Sequence, residues 1–228
     1  MNKRAPQYDK LLSVGWMIQA SSHVKQAGDE ISKSDFDTHG WYSASVPSTV
    51  LAVLVENCVY ENPYVGMNLK KLSSEPYKKP WWYRTEFQLS KEEAEKTVLL
   101  EFDGINYSAN IWLNGNRIAN STEFKGAFRR FKYNISKLIT KGKNVLAVEV
   151  IAPKPGDFAI GFVDWNPPPP DRNMGIFRSV RLSFCKGVSI ENPFIRTELN
   201  LETLQEAALT ISAELANHED KAVSGILE

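Results

Sequence analysis

Apolar and polar residues alternate in short stretches along most of the second half of the chain. Leu146, Val148 and Val150 share one side of one stretch, and Val180, Leu182 and Phe184 alternate with Arg181 and Ser183 in another. A period of two marks a half-buried strand. The segments WWYRTEFQL, TVLLEFDGI, SANIWLNGNRIAN, NVLAVEVIA and FRSVRLSFC are short, rich in β-branched or aromatic residues and bounded by turn formers. Each predicts a strand. Asn114 and Gly115 supply the positive φ values of a tight hairpin, which folds ANIWL back on NRIAN.

Two segments carry a helical pattern instead. PSTVLAVLVENC, opened by Pro47 and Ser48, places Leu51, Leu54, Val55 and Cys58 on one face. YNISKLITKGKN predicts one or two helical turns, with Asn134 as the cap, Leu138 and Ile139 facing inward and Gly142 closing it. Helices this short do not supply the crossovers of parallel sheets, so the pattern predicts a mainly β, antiparallel sandwich. After the strand ending near Cys185 a fresh β pattern begins, in which Leu209, Ile211, Ala213 and Leu215 alternate before the polar turn NHED and a second alternating run. A boundary is expected there, with one domain over 1–186 and the beginning of another over 187–228, since about 40 residues are too few to close a core.

Between two predicted strands lies GFVDWNPPPPDRNMGIFRSV, with four consecutive prolines, Pro167 to Pro170. Four missing backbone donors and a fixed φ exclude a sheet interior and favour an extended, stiff path. The sheet is expected to push out a rigid arm.

Composition narrows the function. The 228 residues carry 27 basic and 27 acidic side chains, and 43% are hydrophobic. That is ordinary for a globular protein with a sizeable core, and there is no basic stripe of the kind a phosphate backbone requires. No nucleic-acid partner is expected. No run of about 18 apolar residues exists, so no membrane-spanning helix is expected. Cys58 and Cys185 are far apart, with no histidine at metal-ligand spacing; they read as separate buried thiols, with a disulfide open as the alternative in an oxidising compartment. No metal or other cofactor is called for. The opening MNKRAPQYDKLLSVGWMIQASS has too many polar interruptions for a signal peptide and reads as mature protein.

Several stretches in this order, VPSTVLAVLVENCVYENPYVGMNL, PWWYRTEF, LEFDGINYSANIWLNGNRIA, FKYNISKLITKGKNVLAVEV and DWNPPPPDRNMGIFRSV, carry a resemblance. Together they resemble the amino-terminal sugar-binding domain of glycoside hydrolase family 2. The DWNPPPPD and ENPYVGMNL stretches resemble the exo-β-glucosaminidase, endo-β-mannosidase and β-mannosidase branch. The resemblance implies a galactose-binding-like jelly-roll sandwich with short helices, then an immunoglobulin-like β domain, then a (β/α)8 barrel with two catalytic glutamates. Retaining hydrolysis needs two carboxyl groups about 5–5.5 Å apart. Those belong to the barrel, so no catalytic residue is assigned to this chain, and it is expected to be inactive alone. The resemblance implies that Asp164 reaches the sugar pocket of the barrel and holds hydroxyls there, with Trp165 as the second substrate-binding residue. The partners implied are a β-linked glycoside and the barrel, within a periplasmic or secreted parent.

Other readings of these residues stay open. A free-standing carbohydrate-binding module or lectin could use the same sandwich, as could a purely structural β adaptor. Asp164 alone could be a solvated loop acid, and Asp171 could pair with Arg172, Arg178 or another domain. Trp81, Trp82 and Trp112 read as core rather than sugar platforms. His23, His39 and His218 read as surface or satisfied histidines. Asn106, Asn120 and Asn134 open glycosylation triplets that matter only on a eukaryotic secretory route.

Overall fold

The computed structural model describes residues 8–226. In chain order its strands are β1 (Tyr8–Leu11), β2 (Trp16–Ala20), β3 (Tyr42–Ala44), β4 (Ser48–Thr49), β5 (Trp81–Leu89), β6 (Thr97–Phe102), β7 (Ser108–Leu113), β8 (Asn116–Ala119), β9 (Phe131–Asn134), β10 (Gly142–Ile151), β11 (Gly175–Ile176), β12 (Val180–Cys185), β13 (Val188–Leu199) and β14 (Ala207–Asn217). The short helices are α1 (Gly28–Ile31), α2 (Val50–Glu56), α3 (Asn68–Lys71) and α4 (Lys91–Ala94). One sheet has the order β1-β12-β6-β9 and the other β3-β2-β5-β10-β7-β8; β11 pairs with β4, and β13 with β14. All of these pairings are antiparallel.

The alternation read from the sequence becomes the core. Leu146, Val148 and Val150 of β10, together with Tyr83 and Phe87 of β5, meet Leu100 and Phe102 of β6 and Leu182 and Phe184 of β12 in one buried cluster. The larger sheet is also covered on its outer side, where Ile31, Trp82 and Ala147 form a second cluster flanked by Phe36, Trp41 and Trp112. Arg84 is buried beneath this cover. Its guanidinium donates to the carbonyls of Ile31 and Lys33, each at 2.9 Å, and to Glu86 at 2.8 Å, so the charge is not stranded. Gly28 opens α1 directly against the Trp112 ring, where an added Cβ would lie 2.3 Å from a ring carbon. Gly28→Ala should therefore cost about 1–3 kcal/mol in a denaturant titration through overpacking.

The Asn114-Gly115 hairpin forms as expected, with φ values of 50° and 84° joining β7 to β8. Trp81 and Trp82 are buried, and Trp112 is half-buried beside Trp82. Two expectations change. The helix expected over PSTVLAVLVENC is α2, which starts at Val50 with Thr49 as its cap; Leu51 and Leu54 are buried, but Cys58 is exposed. Its backbone has turned left-handed past the helix end, at φ 58°, which takes it off the apolar face. Cys58 and Cys185 are free thiols, and only Cys185 is buried. Of the one or two helical turns expected over YNISKLITKGKN, a single one forms, within the expectation. The buried Asn144 side chain accepts from the Thr140 N–H at 2.9 Å and donates to the Thr140 carbonyl at 2.7 Å, which turns the chain straight into β10. The second alternating run after NHED forms no strand among the described residues.

The hairpin of β13 and β14 has two unlike faces. Its register sets Val188, Ile190, Ile195 and Leu199 on the same side as Leu209, Ile211 and Leu215, with Arg196, Glu198 and Glu214 on the other. The apolar face is largely exposed. The hairpin's root is tied to the sandwich through Glu191, which pairs with Lys132 at 3.1 Å.

Candidate functional site

The segment 152–174 leaves β10 as the expected arm. Its tip is a turn in which the Asn166 N–H donates to the Val163 carbonyl at 3.2 Å, which makes Asp164 and Trp165 the two central residues. Trp165 is 86% exposed, and Asp164 is exposed beside it. Among the described residues the Asp164 carboxylate makes no hydrogen bond or ion pair, so all its acceptor capacity faces outward. Trp165→Ala should change the unfolding free energy by no more than about 0.5 kcal/mol, because the ring packs on little.

The root of the arm is tightly held. Asp171 is 1% exposed; its Oδ2 accepts from the Leu51 N–H at 3.0 Å and its Oδ1 from the Asn173 N–H at 2.9 Å. Leu51 lies in the first turn of α2, where N–H groups lack partners within the helix. The neighbouring Val50 N–H donates to the Met174 carbonyl at 2.8 Å, so the arm's root caps the helix twice. Asp171 thus pairs with neither Arg172 nor Arg178. Burial pushes its carboxyl above the ordinary aspartate range, against the backbone hydrogen bonds from Leu51 and Asn173 and the side-chain hydrogen bond from Thr49, which pull it down. Asn106 adds a second fastening, donating from Nδ2 to the carbonyls of Arg172 at 2.8 Å and Asn173 at 3.0 Å. Being fully buried, Asn106 presents no glycosylation site.

Pro167 to Pro170 form one wall of an open groove of about 930 Å³, faced by the segment from Pro63 to Lys79. Asp164 and Trp165 lie outside it, at the tip. The sequence reading named the tip but assigned no role to the opposite wall, where Tyr64, Lys70 and Tyr77 lie about a hundred positions from the prolines; ENPYVGMNL was the available signal.

One other grouping resembles a nucleophile arrangement. Ser189 Oγ lies 2.8 Å from His218 Nε2 and donates to Glu191 at 2.7 Å. With the hydroxyl's only hydrogen directed to Glu191, His218 must donate to Ser189 and is not placed as its general base. The hydrogen bond from Ser189 heads the interactions that hold the Glu191 carboxyl below the ordinary glutamate range. Its contribution to stability is present above the ordinary glutamate pKa and lost as pH falls through the lower folded value. Glu191→Gln should therefore flatten the acid limb of a stability-versus-pH profile. Among the described residues no group of His, Cys, Asp or Glu could hold a metal ion, and no helix is long and apolar enough to cross a membrane.

An antiparallel sandwich with short helices and a fastened, aromatic-tipped arm defines a β domain of the galactose-binding-like class. Residues 16–157 match the family described as glycosyl hydrolase 2 galactose-binding domain-like, and the chain belongs to that family. It is 33% identical over 210 residues to an exo-β-D-glucosaminidase of Amycolatopsis orientalis, covering 92% of this chain and 20% of that protein. A mannosylglycoprotein endo-β-mannosidase of Lilium longiflorum is 29% identical over 238 residues, covering 91% of this chain and 24% of the relative. Among solved structures, the A. orientalis exo-chitosanase in complex with PNP-β-D-glucosamine superposes with a TM-score of 0.88 at 31% identity, over 93% of this chain and 25% of that one. The chain therefore spans about a fifth to a quarter of the length of these proteins.

Proposed function

We propose that this chain is the amino-terminal, non-catalytic sugar-binding domain of a retaining β-glycosidase of the exo-β-glucosaminidase or β-mannosidase kind, and that its arm completes the substrate pocket of a (β/α)8 barrel. The observation that carries this reading is the contrast along the arm: a root fixed by Asp171 and Asn106, and a tip whose carboxylate has no partner within the domain. A carboxylate accepts hydrogen bonds from sugar hydroxyls without changing protonation, and an indole face suits the apolar side of a sugar ring. An arm held in its bound shape loses little freedom when substrate arrives. The share of the relatives' length that the chain spans supports placing the catalytic carboxyl pair elsewhere.

The division into a sandwich domain over 1–186 and the start of an immunoglobulin-like domain over 187–228 belongs to the same proposal. It is supported by the hairpin's exposed apolar face, since a lone strand pair is marginally stable in water and one apolar face is half of a sandwich core. The test is an assay of the 228-residue chain with nitrophenyl β-glucosaminide and β-mannoside, beside the product of the longer reading frame. The short chain should show no turnover and no retention on immobilised glucosamine or mannose, and the longer product should hydrolyse one of the two. Retention of the short chain on either column would favour the lectin reading, and inactivity of the longer product would overturn the enzymatic one.

A further inference from the structure

The groove beside the arm has a chemistry of its own. Lys70, Lys79, Lys154 and Arg172 line it, and none of the four side chains has an ion-pair partner among the described residues. Lys78 lines it too, but pairs with Glu75. The one acid in the lining, Asp171, is 1% exposed with both oxygens engaged, so it neutralises nothing at the surface. A concave surface carrying one sign of charge focuses its field on a ligand of the opposite sign.

A second observation is independent of the charges. Tyr77 lines the groove but is only 3% exposed, its ring stacked against Trp81 with centroids 6.5 Å apart, so it backs the groove as a rigid floor. The walls supply flat, rigid apolar surface: Tyr64, 95% exposed, on one side and the prolines on the other. Aromatic faces with a few convergent polar groups suit sugar rings, and unpaired lysines suit anions.

We propose that this groove binds an acidic saccharide, one whose units carry carboxylate or sulfate groups. Lys70, Lys79, Lys154 and Arg172 meet the anionic groups, and Tyr64 meets a ring face. Four unpaired cations repel a protonated glucosamine polymer, so the groove does not extend a glucosamine site. The inference goes beyond the arm's proposed role and does not depend on Asp164.

The test is calorimetric titration of the 228-residue chain with a heparin hexasaccharide and an oligogalacturonate hexamer, beside mannohexaose, chitosan hexamer and hexaglutamate. Both or one of the acidic saccharides should bind, more weakly at about 150 mM salt than at low salt, and the neutral and cationic sugars should not. A heparin-only result assigns the groove to sulfate, and a galacturonate-only result to carboxylate. The triple variant Lys70→Glu, Lys79→Glu, Lys154→Glu, all surface positions, should lose at least about tenfold in affinity while melting as the parent does. Tyr64→Ala should bind several-fold more weakly yet be as stable as the parent, since the ring is 95% exposed and offers its face to the groove. The proposal is overturned if acidic saccharides bind no better than mannohexaose, if the triple variant binds them as the parent does, or if hexaglutamate binds as tightly as either.

Discussion

Asp171→Ala should lower the unfolding free energy by about 2–5 kcal/mol, because it leaves the buried N–H groups of Leu51 and Asn173 without acceptors and each such group costs about 1–3 kcal/mol. In a chain of this size that corresponds to a melting temperature roughly 5–15 °C lower. The loss has a place as well as a size. The same carboxylate caps α2 and fastens the root of the arm, so trypsin should cut after Arg172 sooner in the variant than in the parent. Asp171→Asn keeps one acceptor oxygen and should lose less on both measures.

The pH dependence of that loss follows from burial. Because the folded carboxyl is raised above the ordinary aspartate value, its contribution to stability is fully present below that value and declines as pH rises through the folded one. The difference between parent and Asp171→Ala should therefore be larger at the acid end of this window than at neutral pH. A difference that grew with pH would mean that hydrogen bonding, not desolvation, dominates at Asp171.

Much of the sheet was legible because strand alternation is local. WWYRTEFQL is β5 from end to end, and Asn114-Gly115 left no alternative to a hairpin. What the pattern did not disclose was how two of the helical segments end. The helical turn after Asn134 ends where Asn144 captures Thr140, and neither the pattern of Leu138 and Ile139 nor the glycine at 142 discloses that hydrogen bond. Cys58 fell outside the helix face because the chain turns left-handed after Glu56, at a residue with no glycine to announce it.

The arm was legible in outline, since four prolines declare a stiff loop whatever surrounds them. Its fastening was not. Asp171 meets Leu51 across 120 positions, and only tertiary structure brings a carboxylate to that helix start. The groove's opposite wall was hidden for the same reason. Asp164 and Trp165 were found through resemblance rather than through any local signal, and the geometry adds that both stand at the tip of one turn.

Asp164 is where the proposed function is most exposed to refutation. A carboxylate that receives two sugar hydroxyls in the transition state supplies charge-assisted hydrogen bonds of about 1.5–3 kcal/mol each, so its removal should cost at least about a hundredfold in kcat/KM. Stability should be untouched, because the side chain makes no hydrogen bond or ion pair among the described residues. Asp164→Asn, which keeps one acceptor, should fall between the parent and Asp164→Ala. The decisive measurement is kcat/KM of the longer glycosidase carrying Asp164→Ala, taken with its melting temperature on whichever nitrophenyl glycoside the parent hydrolyses. The account predicts turnover reduced by about a hundredfold or more at an unchanged melting temperature; turnover equal to the parent's would show that the arm never reaches the sugar.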